Sequence, residues 1–346
     1  MPKPKIRHAD IAREADASIA TVDRVLNGRA GVSSHTSQRI WDAVLRLEGQ
    51  GGKEGKTSRA RKIRLQFDYI LPGGPNTFWE QVVNGAEAAG QAMAEDGVDI
   101  QCHLIEGFNS QALADTIHKV SAHSDGIAVV ALENPMVREA VNACFDAGVP
   151  IVTVVSNLST PKKTAYVGLN NRAAGRTAGY LMGRFLAGQK GEIALFEGSL
   201  DLSYRDHQER DIGFRDVLRE LFPDISVTIK HPTHDNHTEA YLATKTVLEQ
   251  HPNVLGIYNV GGGIRGNARA IQEIGKSADI VLIGHELTDY SRKLLIDGTL
   301  DAVIDQDPEF QAREAARVLL EHHTKGPDSI NPRMPRIGVF IRENMP

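Results

Sequence analysis

The chain begins with two short stretches in which apolar residues recur at helical spacing, separated by a polar break. The first stripe consists of Ile11, Ala12 and Ala15, and the second consists of Val22, Val25 and Leu26. Spacings of three and four residues place each stripe on one helix face, so the two helices can pack together. Ser18 stands at the N-cap position of the second helix, where its hydroxyl can accept a backbone N–H.

A third helix is predicted from Ser33 to Leu47. Ser33 is its expected N-cap, and its apolar stripe consists of Ile40, Ala43, Val44 and Leu47. Three small helices with such stripes can share one core. Periodicity alone is also consistent with a helical cap on a larger protein, so the identity of the residues has to decide.

From Ile63 onward, short β-branched runs alternate with Ala-rich amphipathic stretches such as 79–94. The runs are IRLQFDYILP, VDIQCHLIEG, GIAVVAL, PIVTVVS, EIALFEG, ISVTIKH, VLGIYNV, DIVLIGHE and LDAVIDQ. This alternation predicts an α/β fold of the doubly wound parallel-sheet type, with ligand-facing residues at the carboxyl ends of the strands. The number of runs predicts two sheets.

Charge is distributed unevenly along the 346 residues. Residues 1–65 carry 14 Lys and Arg against seven Asp and Glu, a net of +7, whereas the whole chain has a net charge of −5. A basic N-terminal module suits phosphate binding, because cationic side chains release condensed counterions from a DNA duplex. Residues 49–62 are glycine-rich and basic without apolar periodicity, which predicts a flexible linker.

The sequence disfavours several classes of protein. Cys102 and Cys144 are too few for a disulfide framework, the N-terminal stretch has no apolar signal-peptide region, and no run is long enough for a membrane span. We therefore expect a cytoplasmic protein. No Ser-His-Asp order, paired carboxylate site or C-x-x-C motif indicates catalysis, so we expect neither enzyme activity nor a cofactor.

The residues of the N-terminal module point to one family. Residues 6–27 follow the pattern Ile6-x-x-x-Asp10-Ile11-Ala12-x-x-Ala15-x-x-Ser18-x-x-Thr21-Val22-x-Arg24-Val25-Leu26-Asn27. This pattern resembles the headpiece of the LacI/GalR (lactose-repressor) family of bacterial transcription regulators. The resemblance implies a helix-turn-helix whose second helix enters the major groove of double-stranded DNA. It implies base-edge contacts by Ile19, Ala20 and Arg24, and phosphate contacts by Ser18, Thr21 and Asn27.

Two positions in this second helix leave alternatives open. Ile19 either presents its side chain to a thymine methyl group or packs into the headpiece core. Asp23 stands where the family usually has serine, and a phosphate would repel its carboxylate. We expect Asp23 to accept a hydrogen bond from a cytosine amino group or to turn towards Arg24.

From about Ile63 to Glu343 the chain resembles the periplasmic sugar-binding (ribose-binding-like, type I) domain that this family shares. The resemblance implies a headpiece at 1–48, a linker at 49–62 and an effector domain at 63–346, with lobe 1 at about 63–170 and 308–331 and lobe 2 at about 171–307 and 332–346. Three crossovers would form the hinge. The family's Tyr-x-Pro-Asn segment and leucine-bearing hinge helix are missing from the linker, so we expect weaker minor-groove contact.

The same resemblance places a ligand site in the cleft between the lobes. It implies contacts by Asn76, Phe78 and Trp79 of lobe 1 and by Arg210, Asn259, Glu286 and Gln306 of lobe 2. Ser156 stands at a further ligand position of lobe 1, and the loop after His231 could contribute Asn236 or His237. An acid, amides and a guanidinium beside aromatic rings suit a sugar or polyol, although Phe78 could equally be a core residue. Val155 and Ser156 replace the family's aspartate or Asp-Arg pair, which disfavours simple ribose.

Two other patterns compete with this interpretation. Gly261 to Gly266 matches G-x-G-x-x-G between a strand and a helix, with Glu286 twenty residues further on, which is also a dinucleotide-binding pattern of NAD-dependent oxidoreductases. His231, His234 and His237 recur every third residue, which could make a metal-responsive regulator, although Pro232 indicates a loop in which the rings need not converge.

The patterns together predict a DNA-binding transcription regulator, acting as a repressor. We expect it to bind a near-palindromic operator as a homodimer. A small sugar or polyol bound between the lobes would move the linkers, and so the headpieces, by its differential affinity for two lobe arrangements.

Overall fold

The structure is a computed structural model that describes residues 7–27, 32–49, 64–74, 77–107, 109–198 and 205–346. Residues 50–63, which include most of the predicted linker, lie outside the described residues. The expectations for the linker therefore stay predictions.

The N-terminal module contains three helices: α1 (His8–Glu14), α2 (Ile19–Leu26) and α3 (Ser34–Gly49). The hydroxyl of Ser18 accepts the N–H of Thr21 at 3.0 Å, and that of Ser33 accepts the N–H of Thr36 at 3.2 Å, which confirms both predicted N-caps. The buried core consists of predicted stripe residues, namely Ile11, Ala12, Ala15, Val22, Ile40 and Ala43. The helices therefore pack through the stripes read from the sequence.

Arg39 ties the third helix to the turn between the first two. Its Nη2 donates to the carbonyl oxygens of Ala15 (2.5 Å) and Asp16 (2.8 Å). Asp16 has a left-handed φ of 47°, which exposes these carbonyls at the end of α1. The guanidinium thus satisfies backbone groups that a helix end leaves without an intrahelical partner.

The first sheet of the body is five-stranded in the described part of the chain, in the order β2-β1-β3-β4-β5, and all its strands are parallel. The strands are β1 (Leu65–Gly73), β2 (Val98–Glu106), β3 (Gly126–Val129), β4 (Ile151–Val154) and β5 (Ala165–Val167). Helices α4 (Thr77–Met93), α5 (Ser110–Ser121) and α6 (Pro135–Asp146) connect them. A short 3₁₀ turn, Ala94–Asp96, precedes β2.

The second sheet is six-stranded in the described residues, in the order β11-β10-β9-β8-β6-β7, and only β11 runs antiparallel. Its strands are β6 (Gly191–Glu197), β7 (Ile225–Pro232), β8 (Val254–Asn259), β9 (Val281–His285), β10 (Ala302–Asp305) and β11 (Gly338–Phe340). Its helices are α7 (Asn171–Phe185), α8 (Arg205–Leu221), α9 (His237–Gln250), α10 (Ile264–Glu273) and α11 (Asp289–Asp297).

Helix α12 (Pro308–Lys325) follows the second sheet in sequence but packs on the first. Its residues Ala312, Ala315 and Leu319 share one core with β1 and β3. The chain therefore passes between the sheets after β5, again after β10, and a further time between α12 and β11. A 3₁₀ turn, Pro327–Ser329, lies on the last of these connections.

The α/β fold with two doubly wound parallel sheets confirms the predicted fold class, and each run named from the sequence forms a strand. The sequence patterns missed β5, because Ala165–Val167 is too short to show alternation. In the described parts of the chain, none of the helices is both long enough and apolar enough to span a membrane.

Helices α7 and α8 lie unusually close together because glycines face each other. A Cβ on Gly175 of α7 would lie 2.0 Å from the carbonyl oxygen of Arg210, and a Cβ on Gly213 of α8 would lie 2.1 Å from that of Arg172. Neither contact is sterically allowed, so both positions require glycine. This approach fixes the backbone of Arg210 against the start of α7.

We expect Gly175→Ala to lower the free energy of unfolding by about 1–3 kcal/mol, because the added methyl group must push α8 outward. Urea unfolding followed by circular dichroism measures the change. Gly90→Ala in α4 is the matched control, since its Cβ would lie 3.4 Å from Ile100, an ordinary contact. The control should be neutral or gain up to about 1 kcal/mol from helix propensity. Equal stability of the two variants would contradict the close approach.

Candidate DNA-reading helix and effector cleft

Val22 packs into the headpiece core and anchors helix α2. The outward face of this helix carries both polar and apolar side chains. The side chain of Ile19 is 56% exposed, and Ala20 and Arg24 are also exposed. Of the two alternatives for Ile19, packing in the headpiece core is therefore wrong. An exposed isoleucine at the start of a helix is available to an apolar base edge such as a thymine methyl group.

The polar side chains of α2 bond to each other along the helix. The Ser18 and Thr21 hydroxyls are 2.7 Å apart, and Asn27 Nδ2 donates to Asp23 Oδ1 at 2.8 Å and to the Asp23 carbonyl oxygen at 2.9 Å. Asn27 is therefore one partner of the Asp23 carboxylate, because residues four apart share a helix face, while contact with a cytosine amino group or with Arg24 stays a prediction. Asn27 thus holds the Asp23 carboxylate at the end of the helix.

The carboxyl ends of the strands in both sheets carry the polar groups of a cleft. Hydrogen bonds connect the sides of this cleft, and two of them involve Gln81 and Arg205. Gln81 Nε2 of α4 donates to the Leu287 carbonyl oxygen after β9 at 3.3 Å, and Arg205 Nη1 of α8 donates to Ser159 Oγ after β4 at 2.7 Å. An open cavity of about 170 Å³ lies near the second contact, lined by residues that include Asn157, Tyr166, Arg205 and Asp206. The two lobes are therefore in contact in this arrangement.

Arg210 is the central group of the cleft and is almost fully buried, with 1% of its surface exposed. Its Nε donates to Asn171 Oδ1 at 2.8 Å, its Nη1 donates to the Val260 carbonyl oxygen at 2.8 Å, and its Nη2 donates to Gln306 Oε1 at 3.3 Å. Asp206 Oδ2 lies 3.6 Å from Nη2 and balances the charge. These contacts use the planar fork of donors that distinguishes arginine from lysine.

Gln306 extends this polar chain to Glu286. Its Nε2 donates to Glu286 Oε1 at 2.6 Å, while Gln311 Nε2 of α12 donates to the Gln306 carbonyl oxygen at 2.8 Å. The Gln311 Oε1 in turn accepts the backbone N–H of Val155 at 3.1 Å. Residues of both lobes are therefore connected through side-chain amides.

Glu286 is half-buried and lies in a left-handed conformation with a φ of 75°, and its carboxyl group is buried. Burial raises the pKa of its carboxyl group to about 8; the nearby Arg210 charge lowers it, Asp305 raises it, and the Gln306 hydrogen bond lowers it. At neutral pH the group is therefore mostly protonated and can both donate and accept a hydrogen bond.

Three buried oxygens around this chain have no hydrogen-bond partner among the described residues. They are Glu286 Oε2, Asp206 Oδ1 and Ser156 Oγ. Buried polar atoms are normally paired, so their shared location indicates a place for an external group. Asp206 Oδ1 accepts hydrogen bonds, whereas the protonated Glu286 carboxyl group and the Ser156 hydroxyl can each donate as well as accept, which suits a ligand that presents hydroxyl groups.

Two of the expected ligand residues have structural partners instead of open positions. Asn236 Oδ1 accepts the N–H groups of Thr238 and Glu239 as the N-cap of α9. Asn259 Nδ2 donates to the Gly262 carbonyl oxygen and to Asn267 Oδ1, and its Oδ1 accepts the Gly261 N–H. Both asparagines therefore shape the loops of lobe 2, and a ligand contact by either stays a prediction.

The aromatic residues of lobe 1 pack against each other at the start of α4. The rings of Phe78 and Trp79 meet edge to face with centroids 4.7 Å apart, and both belong to the core of the first lobe. Phe78 is therefore a core residue of lobe 1, which is one of the two roles considered for it. Asn76 lies outside the described residues.

The two competing patterns have structural explanations. A Cβ on Gly261 would lie 2.6 Å from the His207 ring, one on Gly266 would lie 2.0 Å from the His237 carbonyl oxygen, and Gly263 has a left-handed φ of 98° at the start of α10. Packing accounts for these glycines without a dinucleotide.

The three histidines do not form a cluster. His231 Nδ1 lies 2.8 Å from the Pro232 carbonyl oxygen, and His234 Nδ1 lies 2.7 Å from Glu239 Oε2. Burial and the nearby Arg265 lower the pKa of the half-buried His237. Across the described residues, which include all of 231–237, no group of three potential metal ligands converges.

Sequence reasoning missed several residues of this cleft. They are Asn171, Asp206 and Gln311, together with Tyr166, whose hydroxyl lies 3.3 Å from Asn171 Nδ2. Only Asp206 left a signal in the sequence, because it precedes Arg210 by four residues and so lies on the same helix face.

Comparisons with known proteins identify the families to which the two parts of the chain are similar. The family model described as "Periplasmic binding protein domain" matches residues 67–327, and the one described as "Bacterial regulatory proteins, lacI family" matches residues 9–48. The D-apiose import binding protein of Paraburkholderia graminis is 22% identical over 253 residues, which is 71% of this chain and 77% of that protein. The transcriptional regulator RegA of Clostridium saccharobutylicum is 38% identical over 81 residues, 22% of this chain and 23% of RegA.

Solved structures support the fold of the body. The glucose-galactose binding protein GanP of Geobacillus stearothermophilus superposes with a TM-score of 0.74 at 24% identity, covering 82% of this chain and 100% of GanP. A carbohydrate-transporter solute binding protein of Agrobacterium radiobacter, solved with D-arabinose, also has a TM-score of 0.74, at 17% identity over 82% of this chain and 96% of that chain.

We expect the raised pKa of Glu286 to make stability depend on pH. An unfolded glutamate releases its proton near pH 4.5, whereas the folded carboxyl group holds it to about pH 8, so the free energy of unfolding falls as pH rises between these values. Glu286→Gln removes this loss. The free energy of unfolding of the variant, relative to the original protein, should rise by about 1–3 kcal/mol from pH 5 to pH 8.

Urea unfolding at several pH values measures this difference. Glu273→Gln is the control: hydrogen bonds from Tyr241 and Arg269 lower the pKa of Glu273, so this carboxylate is ionised in the folded and the unfolded protein from pH 5 to pH 8 and its removal should give no pH-dependent gain there. Parallel pH profiles for Glu286→Gln and the original protein would show that the buried carboxyl group is ionised throughout.

Proposed function

This chain belongs to the periplasmic binding protein domain family and carries a LacI-family regulatory domain at its N-terminus, which makes it a DNA-binding regulator; from that premise we propose that it is a repressor controlled by a sugar or polyol bound between its lobes. The lobes correspond to 63–170 with 308–331 and to 171–307 with 332–346.

The observation that carries the sugar assignment is the chain of Arg210, Gln306 and Glu286, beside which buried oxygens have no partner among the described residues. Such a set offers both hydrogen-bond donors and acceptors, which match the hydroxyl groups of a polyol. Asp206 already compensates the Arg210 charge, so an anionic ligand such as a uronic acid would meet the Asp206 carboxylate beside Arg210. We therefore propose a neutral sugar or an amino sugar.

The names of the relatives point in the same direction. The similar proteins include import binding proteins for D-apiose and ribose and a D-allose-binding periplasmic protein. Contacts by Asn76, Phe78, Trp79 and Ser156 on the lobe 1 side remain part of the proposal, with Asn236 and Asn259 as further candidates on lobe 2.

On the DNA side, we propose that α2 lies in the major groove with Ile19, Ala20 and Arg24 towards base edges. Ser18, Thr21 and Asn27 would contact phosphates, and Asp23, held by Asn27, would accept from a cytosine amino group. Two copies of the chain would bind a near-palindromic operator in the cytoplasm, each with one headpiece. The proposal includes no catalytic reaction.

Arg210→Lys tests the effector site. Lysine keeps the positive charge beside Asp206 but loses the fork of donors, so we expect about a tenfold to hundredfold weaker affinity for the bound sugar, or about 1.4–2.8 kcal/mol. Isothermal titration of the full-length protein with D-apiose, D-allose, D-ribose and D-arabinose measures it. Arg215→Lys on the same helix, where the guanidinium pairs with Asp211, is the control and should bind as the original protein does. Unchanged sugar affinity in Arg210→Lys would place the site elsewhere.

Arg24→Ala tests the DNA-reading helix. If Arg24 contacts a guanine, its loss should weaken binding to an operator selected in vitro with the original protein by about 1–3 kcal/mol and relax the preference at one base pair. Arg13→Ala is the control, because Arg13 is equally exposed but lies on α1 beside Asp10. Fluorescence anisotropy measures the affinity of each protein variant for operators that differ at single base pairs. A uniform loss across all variants would assign Arg24 to phosphate contact.

A further inference from the structure

A closed ring of hydrogen bonds joins the effector cleft to the hinge. Starting in lobe 1, the Tyr166 hydroxyl donates to the Val155 carbonyl oxygen at 3.0 Å, and Asn171 Nδ2 reaches the same hydroxyl at 3.3 Å. Asn171 Oδ1 then accepts from Arg210 Nε at 2.8 Å. Asn171 is the first residue of α7, directly after the chain crosses from lobe 1 to lobe 2.

The ring returns to lobe 1 through the second crossover. Arg210 Nη2 donates to Gln306 Oε1, and Gln311 Nε2 donates to the Gln306 carbonyl oxygen. Gln311 Oε1 accepts the N–H of Val155, where the ring began. Gln306 and Gln311 flank the point at which the chain passes from β10 into α12.

Val155 is the strained member of this ring. Its φ of 62° lies in the left-handed region, which is a genuine outlier for a β-branched residue. Such a conformation persists only where its surroundings hold it, and residues of this kind concentrate at ligand sites and switches. Here the N–H of Val155 is held by Gln311 and by the Val167 carbonyl oxygen, while its carbonyl oxygen is held by Tyr166.

The fold leaves the Tyr166 hydroxyl a defined place. A Cβ on Gly168, in the first crossover, would lie 2.2 Å from this hydroxyl oxygen. The hydroxyl also lies 3.1 Å from the Leu169 carbonyl oxygen. Tyr166 therefore touches the strained turn and both sides of the crossover with one polar atom.

We propose that Tyr166 and Asn171 are positioning residues that link the effector-gripping Arg210 to the strained Val155 turn of lobe 1. The inference rests on the proposed effector site in the cleft. A ligand that takes hydrogen bonds from Arg210 or Gln306 competes with bonds of the ring, and the Val155 turn is the element that responds. Ser156, whose Oγ has no partner among the described residues, follows directly on this turn.

Tyr166→Phe tests the link, because it removes the hydroxyl and keeps the ring. Tyr180→Phe is the matched control, since Tyr180 is 47% exposed on α7 and takes no part in the ring. Hydrogen–deuterium exchange of the full-length, ligand-free proteins is the first readout. We expect faster exchange in Tyr166→Phe both at 151–157 and at 302–311, although residue 166 makes no direct hydrogen bond to the latter segment, and no such change in Tyr180→Phe. Faster exchange at 151–157 alone would overturn the proposal.

The second readout measures coupling to DNA. Operator affinity is compared with and without saturating sugar, using whichever of D-apiose, D-allose, D-ribose and D-arabinose binds the original protein. At saturating sugar, whatever the sugar affinity of the variant, the sugar-induced change in operator affinity should fall at least about fivefold in Tyr166→Phe. An unchanged response, or a loss of sugar affinity that accounts for the whole effect, would overturn the proposal.

A double-mutant cycle separates transmission from simple destabilisation. Tyr166→Phe and Gln311→Leu break the ring at different points, so their effects on the operator response should be strongly non-additive. Additive effects would mean two independent contacts. If none of the four sugars binds the original protein, the sugar assignment fails. The ligand-free exchange experiment still decides whether the ring of hydrogen bonds couples residues 151–157 to residues 302–311.

Discussion

The structure of the cleft depends on one buried cation. Arg210 lies where the two lobes meet, and each of its three nitrogens is held by an oxygen from a different segment: the start of α7, the end of β8 and the residue after β10. Asp206 supplies the countercharge from one turn earlier in α8. A buried arginine without these partners would cost several kcal/mol, so the segments that carry the oxygens must keep their positions.

Backbone packing maintains those positions. Gly175 and Gly213 let α7 and α8 approach until their backbones touch, which sets the distance between Asn171 and Arg210. The parallel strands deliver the other partners, because the carboxyl ends of neighbouring strands lie at one edge of a sheet. The cleft is thus built from short connections on a rigid framework, the arrangement that a selective ligand site requires.

Backbone strain in the described residues is concentrated at this same edge. The non-glycine residues with a left-handed φ within three residues after strands of the body are Val155, His234, Asp235, Glu286 and Asp307. The remaining such residue, Asp16, lies in the turn of the headpiece. Conformations of this kind are costly and survive where neighbouring contacts enforce them. Their location supports a cleft that can adopt more than one arrangement, which a regulator needs if ligand binding is to be felt outside the site.

The sequence by itself determined the local structure and much of the site. The helices of the headpiece, the caps Ser18 and Ser33 and the principal strands follow from side-chain periodicity and capping within a few residues, and the resemblance placed Arg210, Glu286 and Gln306. Only the tertiary structure decided what these residues bond to. Asn171 lies 39 positions from Arg210, and Gln311 lies 156 positions from Val155, so no local pattern could pair them. The hydrogen bonds of Asn236 and Asn259 within lobe 2 and the exposure of Ile19 also follow only from the tertiary structure, because an amide bonds to whatever the fold brings within about 3 Å.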